Sequence, residues 1–143
     1  MSAKENEAIV RRLMEGAYTN PEVNDELVAD DYVGHFPPNP TRHGPEDLKL
    51  FNAQAVAAFP DAHASIEDLI AEGDEVAVRW TLRGTHEGEL RGGVPATGLR
   101  VEVSGITISR IRNGRVVENW GNYDMLGMLQ QLGVIPAPDS ATG

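Results

Sequence analysis

The spacing of apolar residues predicts three helices in the first part of the chain. Ser2 and Glu5 have the spacing of a capping box, and apolar residues then recur at every third or fourth position. Pro21 and Pro45 suit first helical positions, and Pro60 ends the last of these segments because proline cannot continue a helix. The predicted helices are residues 3–18, 21–30 and 45–59.

After Pro60 the apolar period changes from a helical one to two, which is typical of strands. Asn113 and Gly114 form a strong hairpin signal, and Gly133 is a natural helix C-cap. The predicted strands are residues 32–36, 62–71, 75–84, 99–112 and 115–123, and a last helix covers 124–132.

This order of elements predicts an α+β fold, because helices precede a run of strands instead of alternating with them. We expect a cone-shaped α+β barrel, in which a curved, mixed and mostly antiparallel sheet wraps around the long third helix. The N-terminal helices and one C-terminal helix complete it. Residues 1–135 are predicted to form a single domain, and residues 136–143 a disordered tail.

Charge and composition narrow the classes of function. The chain has 12 basic and 22 acidic residues, a formal net charge of −10, which disfavours nucleic acids and anionic membranes as partners. It contains no Cys, and its four His residues lack metal-ligand spacing, so we expect neither a metal nor thiol chemistry. No signal-peptide pattern or membrane-length apolar run is present, which predicts a soluble, cytoplasmic protein.

Asp124 is the main candidate for proton transfer, since it stands where the last predicted strand becomes a helix. A carboxylate partly desolvated beside a Trp can carry protons near neutral pH. The alternative is that Asp124 only caps the helix, because Asp is a favoured N-cap residue. Strict alternation places on one face of the strand Glu118, Trp120, Asn122 and Asp124.

Two further residues have both a functional and a structural interpretation. His35 lies beside Phe36 at a strand-to-loop transition, where it could orient or protonate a substrate carbonyl oxygen, or be an exposed loop residue. Trp80, in the middle of a strand, is either a pocket wall or part of the core.

The segments VADDYVGHFPP, AFPDAHASIEDLIAEGDEVAVRWTLRGTHEGEL and GITISRIRNGRVVENWGNYDMLGMLQQLGV resemble the SnoaL-like polyketide cyclase family. The resemblance covers roughly residues 5–135. It implies the α+β cone of ketosteroid isomerase and scytalone dehydratase. It also implies an open-mouthed apolar pocket for a planar, multi-ring substrate.

The resemblance further implies cofactor-independent ring closure of an aromatic polyketide by an intramolecular aldol condensation. Asp124 matches the acid/base Asp of the family, and His35 matches a His common in the wider family. Thr107 stands where ring-closing members carry a His. Residues expected to bind the substrate are Phe36, Phe51, Trp80, Thr107, Trp120 and Asn122.

Three functions therefore stay open: an aldol-type cyclase, a hydroxylase-type or isomerase-type enzyme on the same cone, and a non-catalytic small-molecule-binding module. Thr107 favours the second function, because a threonine cannot shuttle protons at neutral pH. A homodimer, or a higher homo-oligomer, is also expected. Its interface would be the outer sheet face, since the strand LRVEVSGITISRIR has apolar residues on both faces.

Overall fold

A computed structural model of the protein describes residues 2–138. Within these residues, four helices and six strands alternate less regularly than in an α/β fold, and four of the strands follow one another directly after the third helix. In chain order they are α1 (Ala3–Gly16), α2 (Val23–Leu27), β1 (Val28–His35), β2 (Arg42–His43), α3 (Gly44–Ala58), β3 (His63–Glu72), β4 (Glu75–Thr85), β5 (Arg100–Arg112), β6 (Arg115–Tyr123) and α4 (Met125–Gln131).

Local signals in the sequence account for most of these boundaries. Ser2 and Glu5 form the expected capping box at the start of α1. Asn113 and Gly114 both have positive φ, 53° and 78°, as a type I′ turn between two twisted strands requires. The prediction was wrong at residues 28–30, which begin β1 instead of ending the second helix, and it missed the short strand β2.

The six strands form one sheet in the order β2-β1-β6-β5-β4-β3. β1 and β6 are parallel, and all the other neighbours are antiparallel, which confirms the expected mixed, mostly antiparallel sheet. Helix α3 packs against β1 and β2, while α1 packs against β3 and β4. The sheet therefore curves around the helices, and the predicted α+β cone is confirmed.

A β-bulge in β6 determines which of its side chains point into the cone. Arg110 of β5 pairs with Glu118, whereas the next residue, Ile111, pairs with Val116, so Val117 is an extra residue. Because one extra residue reverses the alternation, the inward face passes from Val116 to Asn119 and the odd-numbered residues after it.

A chain of buried hydrogen bonds ties three strands together inside the cone. The Ser109 hydroxyl of β5 donates to Asn119 Oδ1 of β6 at 2.6 Å, and Asn119 Nδ2 donates to the Tyr32 hydroxyl of β1 at 3.0 Å. All three residues are buried, and burial raises the pKa of Tyr32. The parallel β1–β6 pairing is thus supported by side chains as well as by backbone.

The segment predicted to be a disordered tail extends past the described residues. Residues 136–138 belong to no helix or strand, and residues 139–143 lie outside the described part of the chain. Within residues 2–138, no helix is both long and apolar enough to cross a membrane.

We expect Tyr32→Phe to destabilise the fold by about 1–3 kcal/mol, because it leaves the buried Asn119 amide without its acceptor. The free energy of unfolding in urea measures this. Tyr18→Phe is the matched control, since the Tyr18 hydroxyl makes no hydrogen bond within the described residues. Equal stability of Tyr32→Phe and wild type would show that the network does not stabilise the sheet.

Candidate active site

A cavity of about 540 Å³ opens between the inner face of the sheet and the helices. Side chains of α1 and α3 form one side of it, and β4, β5 and β6 form the other. The loop between β4 and β5 contributes Leu90, Arg91, Gly92 and Val94, and α4 contributes Met125 and Met128. Most of the lining is apolar or aromatic, as is usual for a site that binds an organic molecule.

Aromatic rings form two walls of this cavity. Phe36 and Phe51 stack with their centroids 5.0 Å apart and an interplanar angle of 12°. Trp80 lines the cavity from β4, and its indole Nε1 donates to the Thr107 hydroxyl at 3.0 Å. Gly105 makes this placement possible, because a Cβ there would overlap the Trp80 ring. Four of the six predicted substrate-binding residues, Phe36, Phe51, Trp80 and Thr107, therefore line the cavity.

A row of polar side chains runs along the sheet wall between these aromatic rings. Thr107 and Ser109 of β5 and Asn119 of β6 all line the cavity. Ser109 and Asn119 are hydrogen-bonded to each other, and Asn119 is also bonded to Tyr32. These fixed hydroxyl and amide groups can orient the oxygens of a bound molecule.

A second set of polar side chains lines the cavity on the side of the helices and the β4–β5 loop. Asn39 Nδ2 donates to the Tyr123 hydroxyl oxygen at 3.3 Å, which leaves the Tyr123 proton available to another acceptor. Burial raises the pKa of Tyr18 to about 12, so this phenol is a hydrogen-bond donor throughout the physiological pH range. The guanidinium of Arg91 lies 4.3 Å from the centre of the Phe51 ring.

Asp124 does not lie where the sequence predicted it. Its side chain is exposed, is not part of the cavity lining, and accepts a hydrogen bond from the Gly127 N–H at 2.8 Å as the N-cap of α4. The prediction of a partly buried carboxylate on the pocket wall is therefore wrong. The physical reason is that the free N–H groups of the first helical turn attract the carboxylate.

His35, Trp120 and Asn122 are also outside the cavity lining. The His35 Nε2 lies 2.7 Å from Glu118 Oε2, and its ring stacks on Trp120 with centroids 5.7 Å apart. This cluster belongs to the outer face of the sheet, because the bulge in β6 turns Glu118, Trp120 and Asn122 outward together. The sequence correctly put these three on one face, but that face is not the one that lines the cavity.

The cavity lining carries almost no formal charge. Among the described residues that line it, Arg91 carries the one formal charge, and none is Asp, Glu, His or Lys. Its polar atoms are hydroxyls, amides and a guanidinium. Such a lining can bind and orient a molecule and donate hydrogen bonds, but it presents no carboxylate or imidazole as a general base.

The fold and the cavity together define an α+β cone with an open, aromatic-lined cavity suited to a small organic molecule. The profile of the SnoaL-like polyketide cyclase family matches residues 8–132 of the chain. The chain belongs to this family, which makes it a SnoaL-like cyclase or a related tailoring enzyme.

Similarity to individual proteins agrees with this membership. The chain is 33% identical over 131 residues to the aklanonic acid methyl ester cyclase DauD of Streptomyces sp. (strain C5), covering 87% of this chain and 80% of DauD. IdmH from Streptomyces antibioticus, a proposed polyketide cyclase, is 36% identical in sequence to this chain, and its crystal structure superposes with a TM-score of 0.79. The match covers 90% of this chain and 99% of IdmH.

AclR from Streptomyces galilaeus, a proposed hydroxylase, has the same fold. Its crystal structure superposes with a TM-score of 0.85 at 28% identity, and the match covers 99% of this chain and 88% of AclR. The chain is thus similar both to proteins named as cyclases and to one named as a hydroxylase.

Several residues of the cavity were missed by the sequence analysis. Tyr18 and Arg91 lie on segments read only as a helix end and a glycine-rich loop, and no local pattern marks them. Ser109 shares a face with Thr107 by simple alternation along β5, whereas Asn119 and Tyr123 could have been found from alternation in β6 only if the bulge had been placed. Asn119 lies between Glu118 and Trp120, so its immediate neighbours do not mark it as a buried polar residue.

We expect Asp124→Ala to lower the free energy of unfolding by about 0.5–2 kcal/mol, since α4 loses its cap, while Asp124→Asn stays close to wild type. Urea unfolding of the two variants measures this difference. Because the carboxylate is outside the cavity, both variants should keep wild-type turnover. If Asp124→Asn instead lost turnover by about 10²–10⁴-fold with unchanged stability, Asp124 would be the proton carrier after all.

Proposed function

We propose that the protein binds a planar, multi-ring aromatic polyketide in this cavity and closes a ring by an intramolecular aldol reaction without a cofactor. The observation that carries the proposal is that the stacked pair Phe36 and Phe51 and the indole of Trp80 line one cavity together with polar side chains of the sheet. Flat rings gain both apolar burial and stacking in a cavity with such a lining. The names of DauD and IdmH support the same class of reaction.

In this reaction a methylene between two carbonyl groups loses a proton, and the resulting enolate attacks a second carbonyl of the same molecule. One carbon–carbon bond forms, and the alkoxide takes up a proton, so the product is an isomer of the substrate. The cavity would hold the two reacting carbons together, which by itself accounts for much of the acceleration in intramolecular reactions.

The cavity would also stabilise the oxygens on which negative charge develops. Thr107, Asn119 and Tyr123 present hydroxyl and amide groups in a site whose lining is mainly apolar. Such a methylene is already acidic, and its enolate is delocalised into the rings of the substrate. We therefore assign the proton transfer to water at the open mouth, and not to Asp124 or His35.

A hydroxylase-type or isomerase-type reaction on the same cavity is the second candidate. Two observations favour the hydroxylase-type reaction: the lining residues include no carboxylate or imidazole, and the chain is similar to AclR. A non-catalytic binding module is the third candidate, and the lack of a carboxylate or imidazole among the described lining residues favours it as well.

The product distinguishes these candidates. We expect incubation with aklanonic acid methyl ester, or a related polyketide ester, to yield a product of unchanged mass with one additional ring, measured by mass spectrometry and NMR. A gain of one oxygen would indicate a hydroxylase. Binding without conversion would indicate a binding module.

We expect Thr107→Val to lower kcat/KM about tenfold, because it removes one hydroxyl from the cavity while keeping the shape of the side chain. Ser104→Ala is the matched control, since Ser104 is exposed on the same strand, outside the cavity lining. Initial rates of both variants measure the effect. Equal loss of activity in the two variants would argue against a direct role for Thr107.

We also propose a homodimer through the outer sheet face. Val101 and Val103 of β5 are buried, whereas Ile106 and Ile108 are 53% and 39% exposed on the opposite face. Ile106→Glu should therefore shift the sedimentation of the protein towards that of a 15.5 kDa monomer. Leu50→Glu, an exposed leucine on α3, is the control. A wild-type protein that is monomeric at all concentrations would contradict the dimer.

The cytoplasmic location and the single domain over residues 1–135 stay predictions.

A further inference from the structure

Arg91 combines a charge with an apolar setting. It is the charged residue of the cavity lining, and it forms no ion pair with any other described residue. Its neighbour Arg42 lies on the same ring, Phe51, but is paired with Asp47 at 3.3 Å and does not line the cavity. Arg91 is thus available to a bound molecule in a way that Arg42 is not.

The guanidinium of Arg91 is held in position before any ligand binds. Its Nη1 donates to Gln54 Oε1 at 2.9 Å, and its planar face lies over Phe51. The backbone of the loop is also fixed, because the Leu90 N–H donates to the Val94 carbonyl at 2.9 Å. Neither Gln54 nor Phe51 neutralises the positive charge.

The same loop is anchored further along by a buried histidine. The Thr97 N–H donates to His86 Nδ1 at 3.2 Å, and the Gly98 N–H donates to the His86 carbonyl at 2.8 Å. His86 is fully buried. The loop that presents Arg91 to the cavity is therefore tied to the end of β4, which limits the cost of ordering it when a ligand binds.

Two phenols lie near the guanidinium in the cavity. Tyr123 accepts from Asn39, so its own proton can be donated to a ligand. Tyr18 stays protonated because burial raises its pKa to about 12, although nearby Arg91 opposes the rise. Two O–H donors and a guanidinium around one space form a suitable set for an oxygen that carries negative charge.

We propose that Arg91, with Tyr18 and Tyr123, binds an anionic oxygen of the ligand and so determines specificity. This inference rests on the proposed function and deepens it: the preferred ligand is a planar, multi-ring molecule with a carboxylate or an ionised enol or phenol at this end of the cavity. The chain as a whole repels anions, so the preference arises from this local arrangement and not from the net charge of −10.

Matched ligands of equal shape test the charge preference. Isothermal titration calorimetry compares anthraquinone-2-carboxylate with its methyl ester, on wild type and on Arg91→Gln. We expect the wild type to bind the carboxylate at least about tenfold more tightly than the ester. Arg91→Gln should lose that preference and keep the affinity for the ester. Arg112→Gln, an exposed arginine outside the cavity lining, should behave as wild type.

A second arm distinguishes a carboxylate from an ionised ring oxygen. The visible absorbance of 2-hydroxyanthraquinone reports its ionisation, which is followed against pH with each protein. If a ring oxygen occupies the site, the phenol ionises at lower pH on the wild type than on Arg91→Gln. A preference for the carboxylate without this shift assigns the site to a carboxylate.

Three results would overturn the inference. In the first, the wild type shows neither the preference for the carboxylate nor the shift in ionisation of 2-hydroxyanthraquinone. In the second, Arg91→Gln weakens the binding of the carboxylate and of its methyl ester equally, as a structural role of Arg91 would predict. In both cases the ligands still bind, and the proposed function stands. If none of the three ligands binds the wild type, the proposed function fails and this inference with it.

Discussion

The rest of the structure depends on the parallel pairing of β1 with β6. This pairing joins β1 and β2 to the antiparallel strands β3 to β6, and the hydrogen bond between Tyr32 and Asn119 spans 87 positions of the chain. Helix α3 packs against β1 and β2, and the β1–β6 pairing is what attaches these two strands to the rest of the sheet. The buried polar network at the same place makes a shifted register costly, because each shift would leave a buried amide or hydroxyl without a partner.

The chemistry of the cavity follows from the way in which it is built. Its walls come from inward-facing strand residues, which are mainly apolar, and from aromatic side chains that need neighbours without a Cβ. Gly105 and Gly121 provide this room for Trp80 and Phe36. An unpaired charged side chain is costly in such an apolar lining, which explains why hydroxyls and amides dominate its polar surface and why Arg91 is the exception among the described lining residues.

The acidic surface and the cavity differ in electrostatic character. Carboxylates lie on the outside of the fold. Asp47 and Asp124 each accept a backbone N–H at a helix start, and Asp61 accepts the Thr85 N–H at the end of β4. The cavity lining instead includes Arg91, an exposed residue whose guanidinium lies over the Phe51 ring. At physiological ionic strength, charges beyond about 8 Å are largely screened, so the local guanidinium outweighs the distant carboxylates for a bound ligand.

Most of the fold could be predicted from the sequence because its signals are local. The capping box at Ser2, the Asn113–Gly114 turn and the change of period after Pro60 each act within a few residues, and each appears where expected. The aromatic walls Phe36, Phe51 and Trp80 were also predicted. For these residues, the position in an element and the apolar character were sufficient.

The composition of the active site was decided by the tertiary structure. One extra residue in β6, Val117, reverses which side chains face the cavity, and it moves Trp120 and Asn122 to the outside. The Asp124 carboxylate could either contact a ligand or cap α4, and in the structure it caps the helix by accepting the Gly127 N–H. Arg91 joins Phe51 and Gln54 only because the β4–β5 loop folds back over α3. Register and loop packing depend on contacts between distant segments, and the local pattern of a sequence carries little information about either.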